Sequence, residues 1–415
     1  MLSSFERLCF DNKLSTSGLK LNHLNAKLPI YTAQMRISRH VELIALIAIA
    51  GCIRSPITSV GPQINSIRES QSLGIIQFGL LTAIPVICFA LAAPLPSLRI
   101  FRKIKTEQLI VFALLALGAA TILRTFGSNS TLFAWTIVLG ISIAILNIVT
   151  PALVRRDYPK KITTVMPIYS AVLALMASLG AGLSIPIATY FDDSWHLGIS
   201  IWAVPAIVVA LIWIPLLRKA APMPDAHENH FKELLKSKKA WLVSLYMGVQ
   251  SAIFYTQVAW MPKILIDKGY SAAQAGALFG LSTLCGFALT LILPLLFSRG
   301  ENLHRAILAT SFPGIIGFLG LNYLTNDWTI PALVLISTTH AALPLALGLI
   351  ALKSPSVEAT SHLSSMAQGI GYCIAAIFPI LIGYTYQVTN GWLTATYLIA
   401  SLILIQSVLG IKANK

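Results

Sequence analysis

The first long apolar segment of the chain ends in Gly51–Glu69, which reads GCIRSPITSVGPQINSIRE. Because the apolar run begins near Val41 and a helix rises about 1.5 Å per residue, the Cα atom of Arg54 lies roughly 20 Å into it, inside a bilayer. A guanidinium at that depth costs about 2.5–3.5 kcal/mol, so we expect Arg54 to face a protein interior or a wet cavity. Pro56 and Pro62 follow it, and each removes a backbone donor. The stretch therefore predicts a membrane helix that is broken beside a buried cation.

The composition is that of an integral membrane protein. Of the 415 residues, 56% are hydrophobic and 11% are charged, and the mean hydropathy is +0.76. A soluble fold of this length would not bury so much apolar surface. We expect an all-α protein with twelve transmembrane helices, because twelve apolar spans have membrane length: 41–64, 73–97, 106–124, 131–154, 163–190, 197–217, 240–264, 273–297, 304–323, 329–352, 360–386 and 392–411.

A charged central connection divides these spans into six and six. The halves resemble each other weakly, which predicts two pseudo-symmetric bundles around a midplane site, the architecture of alternating-access carriers. The expected domains are an N-terminal cytoplasmic extension, a six-helix bundle, a central cytoplasmic loop and a second six-helix bundle, at 1–40, 41–217, 218–239 and 240–411. Met35 is an alternative start, because a short basic segment follows it.

The basic residues set the expected orientation. Twenty-five lie in the connections of one side and at the termini, against four on the other side. By the positive-inside rule both termini are cytoplasmic, in the inner or plasma membrane. The same rule explains the net charge of +15, so we do not expect nucleic acid as a partner.

The sequence gives no sign of an enzyme, and we expect no catalytic residue, cofactor or metal site. The five cysteines lack paired ligand spacing and read as small hydrophobic residues. His227 and His230 lack the spacing of the zinc motif His-Glu-x-x-His. Neither the Gly-x-Ser-x-Gly motif of hydrolases nor the phosphate-binding loop of ATPases is present.

Polar side chains within the spans mark a candidate binding site. No carboxylate lies near the centre of a span. The candidate substrate-binding residues are Arg54 as the principal ligand, with Gln250, Tyr255, Gln368, Tyr372, Asn147 and His340. One Arg with amides and tyrosines suits a small polar or anionic molecule. Such groups also form interhelical hydrogen bonds, and an Arg also snorkels to a surface, so both structural readings stay open.

His340 is the candidate for a coupling proton. It lies near the middle of the tenth span, where carriers that couple to protons often place a titratable group. A neutral, hydrogen-bonded packing role is the alternative, and a carboxylate near a span end is the other candidate for the proton.

Asp157 is the candidate for a gate at the predicted cytoplasmic mouth. It follows Arg155 and Arg156 and faces the basic second-to-third loop, which contains Arg99 and Arg102. An ion pair between these groups would hold the helix ends together in one conformational state and release them in the other. The alternative is solvated loop charges that contribute little.

Four motifs together resemble those of a known family: Arg54–Pro62, Pro151–Pro159, Tyr255–Pro262 and Met366–Tyr372. With them, residues 40–411 resemble the major facilitator superfamily and, within it, the cyanate and 2-nitroimidazole transporter family (CynX/NimT). The resemblance implies a twelve-helix carrier whose two bundles rock around a central site. The superfamily's charged motif between the second and third spans is reduced here to Pro94–Arg102.

We therefore expect a secondary active transporter that moves a small polar or anionic solute, such as cyanate or a nitroimidazole, as a monomer in the lipid bilayer. One alternative is a broad-specificity drug or metabolite efflux carrier of the same fold. The alternative from another class is a membrane receptor or scaffold without transport.

Overall fold

The computed structural model describes residues 28–95, 104–219, 234–296, 303–353 and 357–414. Within these ranges the chain forms α-helices joined by short turns and 3-10 helices, without a β-strand. The helices of the first half are α1 (Leu28–Ile53), α2 (Ser55–Thr58), α3 (Ile64–Ser70), α4 (Ile75–Ala92), α5 (Thr106–Leu123), α6 (Asn129–Asp157), α7 (Ile162–Tyr190), α8 (Trp195–Ser200) and α9 (Ala203–Trp213). Those of the second half are α10 (Lys238–Asp267), α11 (Ala272–Leu296), α12 (Leu303–Tyr323), α13 (Thr329–Ser337), α14 (Ala342–Lys353), α15 (Val357–Thr389) and α16 (Leu393–Asn414).

The helices have the lengths that a bilayer requires. In the described ranges, eleven helical segments are long and apolar enough to cross a membrane. The remaining predicted span, 240–264, lies in α10, whose 30 residues extend about 45 Å. This helix carries the polar residues Gln250, Tyr255 and Gln257 along its length. The all-α membrane fold predicted from the sequence is confirmed.

Exposed apolar side chains fit this assignment. Phe112 on α5, Leu211 on α9 and Phe312 on α12 are 70%, 58% and 64% exposed. In water such a surface would drive aggregation, whereas lipid tails solvate it.

The chain divides into two compact units, Met1–Ile44 and Ala45–Lys415. In the first unit the described residues form the beginning of α1. The second unit contains the end of α1 and all the later helices. The predicted division into 41–217, 218–239 and 240–411 stays a prediction, and residues 1–27 and 220–233 lie outside the described part of the chain.

The two halves of the second unit meet along two pairs of helices. The helix α4 packs on α15, and α7 packs on α11. Glycines allow the close approach: a Cβ atom at Gly79 would lie 2.7 Å from the Pro379 carbonyl oxygen, and one at Gly276 would lie 2.5 Å from that of Ala181. Any larger residue at these positions would force the helices apart.

The break predicted in the first membrane span is present. The helix α1 ends at Ile53, and α2 covers only one turn before the chain turns again at 59–63. Pro56 lies in the first turn of α2, where its missing donor is tolerated. The carbonyl oxygen of Arg54 accepts hydrogen bonds from the backbone nitrogens of Ile57 and Thr58, at 3.1 and 3.0 Å. Arg54 therefore stands at the junction of two helical segments.

Candidate central binding site

Arg54 extends from this junction to the second half of the chain. Its Nη1 atom donates a hydrogen bond of 2.8 Å to the hydroxyl oxygen of Tyr255 on α10. Its guanidinium carbon lies 5.7 Å from the ring centre of Phe254 and 5.9 Å from that of Tyr255. These distances allow cation–π attraction, which steadies the cation without neutralising it.

An aromatic cluster, defined here as Phe89, Phe254, Tyr255 and Tyr372, surrounds this cation. Phe89 on α4 lies 5.4 Å from Tyr372 on α15 and 6.2 Å from Tyr255, measured between ring centres. Tyr255 and Tyr372 are 6.3 Å apart, and Phe254 meets Tyr255 edge to face at 5.2 Å. The cluster therefore joins helices of both halves and offers flat rings and two hydroxyl groups beside one positive charge.

Arg54 has no acidic partner in the described part of the chain. The ion pairs found there join Arg156 to Glu107 and Asp157, and Lys263 to Asp267. A positive charge that the protein leaves uncompensated attracts an anion or the negative end of a dipole.

A polar chain lies on the other side of Phe254. The Phe254 ring meets the His340 ring edge to face, with 5.3 Å between ring centres. His340 Nε2 is 3.2 Å from Gln257 Oε1, and Gln257 Nε2 donates to Thr339 Oγ1 at 3.1 Å. Because the amide oxygen of Gln257 accepts, His340 Nε2 carries the proton in this arrangement. His340 thus contacts the aromatic cluster and hydrogen-bonds within the second half.

Among the described residues, the candidates Gln250, Gln368 and Asn147 form no hydrogen bond with Arg54. Gln250 is buried and donates to Ser251 Oγ at 2.7 Å, on its own helix. Gln368 Nε2 donates to Ser364 Oγ at 2.9 Å, one turn earlier on α15. Asn147 is half-buried on α6, and its side chain makes no hydrogen bond with the described residues. The amide nitrogens of the two glutamines therefore donate within their own helices.

The candidate gating residue Asp157 belongs to an ion-pair network centred on Arg156. Arg156 binds Asp157 through Nε at 2.7 Å and Nη2 at 3.0 Å, and its Nη2 also contacts Glu107 Oε1 at 2.5 Å. Glu107 lies in the first turn of α5 and Arg156 in the last turn of α6, so this network joins two helices of the first half. The two predicted gating arginines, Arg99 and Arg102, lie outside the described residues.

Sequence reasoning did not select Phe89, Phe254, Gln257 or Thr339 as site residues. The phenylalanines look like any other apolar residue of a membrane span, so the pattern gave no signal for them. Gln257 lies two residues after Tyr255 and is a polar residue in mid-span, which is the signal that would have found it.

Comparison with known proteins agrees with this architecture. The family model of the Major Facilitator Superfamily matches residues 43–379. An uncharacterized transporter, YycB of Bacillus subtilis, is 31% identical over 375 residues, covering 89% of this chain and 92% of the relative. The 2-nitroimidazole transporter of Escherichia coli is 30% identical over 380 residues, covering 91% and 96%. The cyanate transport protein CynX of Escherichia coli is 25% identical over 353 residues, covering 85% and 91%.

Likeness to solved structures supports the fold. A crystal structure of the nucleoside transporter NupG aligns with a TM-score of 0.72 at 10% identity, covering 90% of this chain and all of that chain. The relatives are transporters, in agreement with the expectation that this protein is not an enzyme. The chain belongs to the major facilitator superfamily of multi-pass membrane transporters and, within it, resembles the cyanate and 2-nitroimidazole transporters, as its sequence motifs predicted.

Proposed function

We propose that this transporter is a secondary carrier for a small, flat solute that carries negative charge or strong acceptor atoms, of the kind represented by cyanate and nitroimidazoles. The observation that carries the proposal is the uncompensated guanidinium of Arg54 within the aromatic cluster. Arg54 is its principal ligand, with Tyr255 and Tyr372 as hydrogen-bonding partners.

The chemistry of the site favours this substrate class. A nitro group or a cyanate ion offers acceptor atoms to the guanidinium, and charge-assisted hydrogen bonds are about twice as strong as neutral ones. The rings of the aromatic cluster can pack against the face or the edge of a flat solute. Two of the relatives bear the names of transporters for such compounds.

Transport would proceed by alternating access between the halves at 41–217 and 240–411. The Arg54–Tyr255 hydrogen bond joins a residue of the first half to one of the second, so rotation of the halves changes the ligand's surroundings. A carrier requires such differential contacts between its two states. The close pairs α4–α15 and α7–α11 form the surfaces on which this rotation would take place.

We further propose that both termini are cytoplasmic, in the inner or plasma membrane, and that the monomer is the working unit. The charge bias of 25 basic residues against four supports this orientation. His340 is proposed to carry a coupling proton, because it is a titratable group in contact with the aromatic cluster.

The test is counterflow in liposomes that contain the purified protein, with labelled cyanate and 2-nitroimidazole as substrates. Wild-type protein is expected to exchange at least one of them. Arg54→Gln, which keeps a polar side chain but removes its charge, is expected to lose exchange about tenfold or more, and Arg54→Lys, which keeps a positive charge, is expected to retain part of it. Exchange by Arg54→Gln at the wild-type rate would overturn the role of Arg54.

A second candidate is the broad-specificity efflux carrier, which the apolar rings of Phe89 and Phe254 favour. For that function, Arg54→Gln would leave the exchange of neutral aromatic compounds unchanged. A receptor or scaffold would bind ligand without any flux in the same liposomes.

A further inference from the structure

A second set of aromatic side chains lies between the two halves, at the end of the molecule where α10 finishes. Its centre is Trp260 on α10, whose side chain is fully buried. Trp260 follows Tyr255 by five positions, which places it about 7.5 Å further along the helix axis. In the proposed orientation this is the outer end. Trp260 therefore lies between the candidate binding site and the outer end of α10.

Trp260 packs against the first half of the chain. Its ring meets the fully buried ring of Phe78 on α4 edge to face, with 5.7 Å between ring centres. The turn after the helix break touches α10 beside it, because a Cβ atom at Gly61 would lie 2.6 Å from the Val258 carbonyl oxygen and 3.1 Å from Cγ of Pro262. The ring of Phe78 and this turn would both have to leave α10 before a solute could enter between the halves at this end.

The second half holds the Trp260 side chain from within. The indole Nε1 atom donates a hydrogen bond of 2.8 Å to the carbonyl oxygen of Pro379 on α15, and an indole has no other donor. The ring of Trp392, just before α16, lies 5.9 Å from that of Trp260, measured between centres. These contacts lie within one half, so they persist when the halves rotate, whereas the contact with Phe78 does not.

Asp267 at the end of α10 fixes the rings next to Trp260. Its Oδ2 atom accepts hydrogen bonds from Trp392 Nε1 at 2.9 Å and from the Tyr386 hydroxyl at 3.0 Å, and its Oδ1 atom pairs with Lys263. The Tyr386 and Trp392 rings lie 4.2 Å apart between centres. One carboxylate thus joins the end of α10, the end of α15 and the residue before α16.

We propose that Trp260 and Phe78 form the gate that closes the central site at this end, and that Asp267 is a positioning residue that holds Trp260 through Trp392. The gate rests on the alternating access proposed above, but not on the identity of the solute. In the state that opens to this end, Phe78 and the turn at Gly61 leave α10, while Trp260 stays bound to Pro379 and moves with the second half.

The first experiment measures the distance between spin labels at Ser70 on α3 and Gln387 on α15, which are exposed residues of the two halves at this end. Serine replaces the five native cysteines in every protein compared. Phe78→Ala is expected to raise the ratio of long to short distances about tenfold or more, because it removes a buried ring and an aromatic pair. An unchanged ratio would overturn the gate.

Phe318→Ala is the matched control. Phe318 is also a buried phenylalanine, but it lies on α12, which packs against α13, α14 and α16 of the second half. This variant is expected to lower the melting temperature without lengthening the distance between the labels. A shift as large as that of Phe78→Ala would show a general loosening of the protein and would overturn the gate.

Asp267→Ala tests the positioning role, and it tests the gate even where Phe78→Ala does not fold, since Asp267 is a partly exposed residue at a helix end. It is expected to raise the ratio of long to short distances about threefold, the loss of roughly one weak hydrogen bond. Asp327→Ala, at an exposed acid of the same end, should leave the ratio unchanged. Equal ratios in the two variants would overturn the role of Asp267. No solute is needed, so these outcomes are separate from the counterflow test of the substrate class.

Discussion

Arg54 and Tyr255 are 201 positions apart in the chain, and Arg54 Nη1 donates a hydrogen bond of 2.8 Å to the Tyr255 hydroxyl. The bond connects the break in the first membrane span with α10 in the second half. This hydrogen bond orients the guanidinium within the aromatic cluster. A variant that lacks the bond but keeps Arg54 therefore tests the orientation of the cation while its charge is still present.

Tyr255→Phe is expected to raise the KM for an anionic substrate about tenfold or more, because a hydrogen bond to a charged group contributes about 1.5–3 kcal/mol. The measurement is the concentration dependence of counterflow. Tyr246→Phe is the matched control, since Tyr246 lies buried on the same helix and its hydroxyl has no partner. An unchanged KM in Tyr255→Phe would show that the hydroxyl does not position Arg54.

Gly276→Ala is expected to weaken the packing of α11 on α7, because the added Cβ atom would lie 2.5 Å from the Ala181 carbonyl oxygen. Overpacking typically costs about 1–3 kcal/mol, which changes the balance between conformational states about fivefold or more. Spin-label distances between α7 and α11 should lengthen. Gly348→Ala is the control, because no atom lies within 4 Å of its added Cβ. Identical distance distributions in both variants would refute the expectation.

His340→Gln is expected to abolish accumulation driven by a pH gradient while leaving counterflow active. Gln retains a donor for Gln257 but does not titrate, and counterflow does not require net proton movement. The measurement compares both assays in the same liposomes. His304→Gln is the control, because His304 pairs with Asn414 at the end of α16 instead of the aromatic cluster. Accumulation that persists in His340→Gln would assign the proton to another group.

Glu107→Gln is expected to destabilise the protein more than Asp157→Asn does. Both carboxylates bind Arg156, but the Glu107 side chain is 4% exposed and that of Asp157 is 35% exposed. An exposed ion pair contributes less than about 1 kcal/mol, whereas loss of a buried partner costs more. Thermal unfolding in detergent should show the larger fall in melting temperature for Glu107→Gln. The opposite order would give Asp157 the central role that the sequence suggested.

Local pattern was enough to predict the membrane spans, the helix break and the family. Hydropathy marked the membrane spans, and the prolines after Arg54 marked the break in the first one, because apolar length and a missing backbone donor act within one segment. The quoted motifs also indicated the family. Arg54, Tyr255 and Tyr372 could be identified as candidate site residues because polar groups in the middle of a membrane span are rare.

Which of these groups lie in contact depends on the packing of helices that are far apart in the chain. The contact of Arg54 with Phe254, and of Phe89 with Tyr372, depends on how helices from distant parts of the chain rotate and pack against each other. Gln250 and Gln368 were equally plausible ligands by type, but each donates to a serine on its own helix. The sequence alone does not show whether an apolar residue of a membrane span faces lipid or another helix, because both surroundings are apolar. For that reason the sequence located the cation of the site, and helix packing supplied the rings around it.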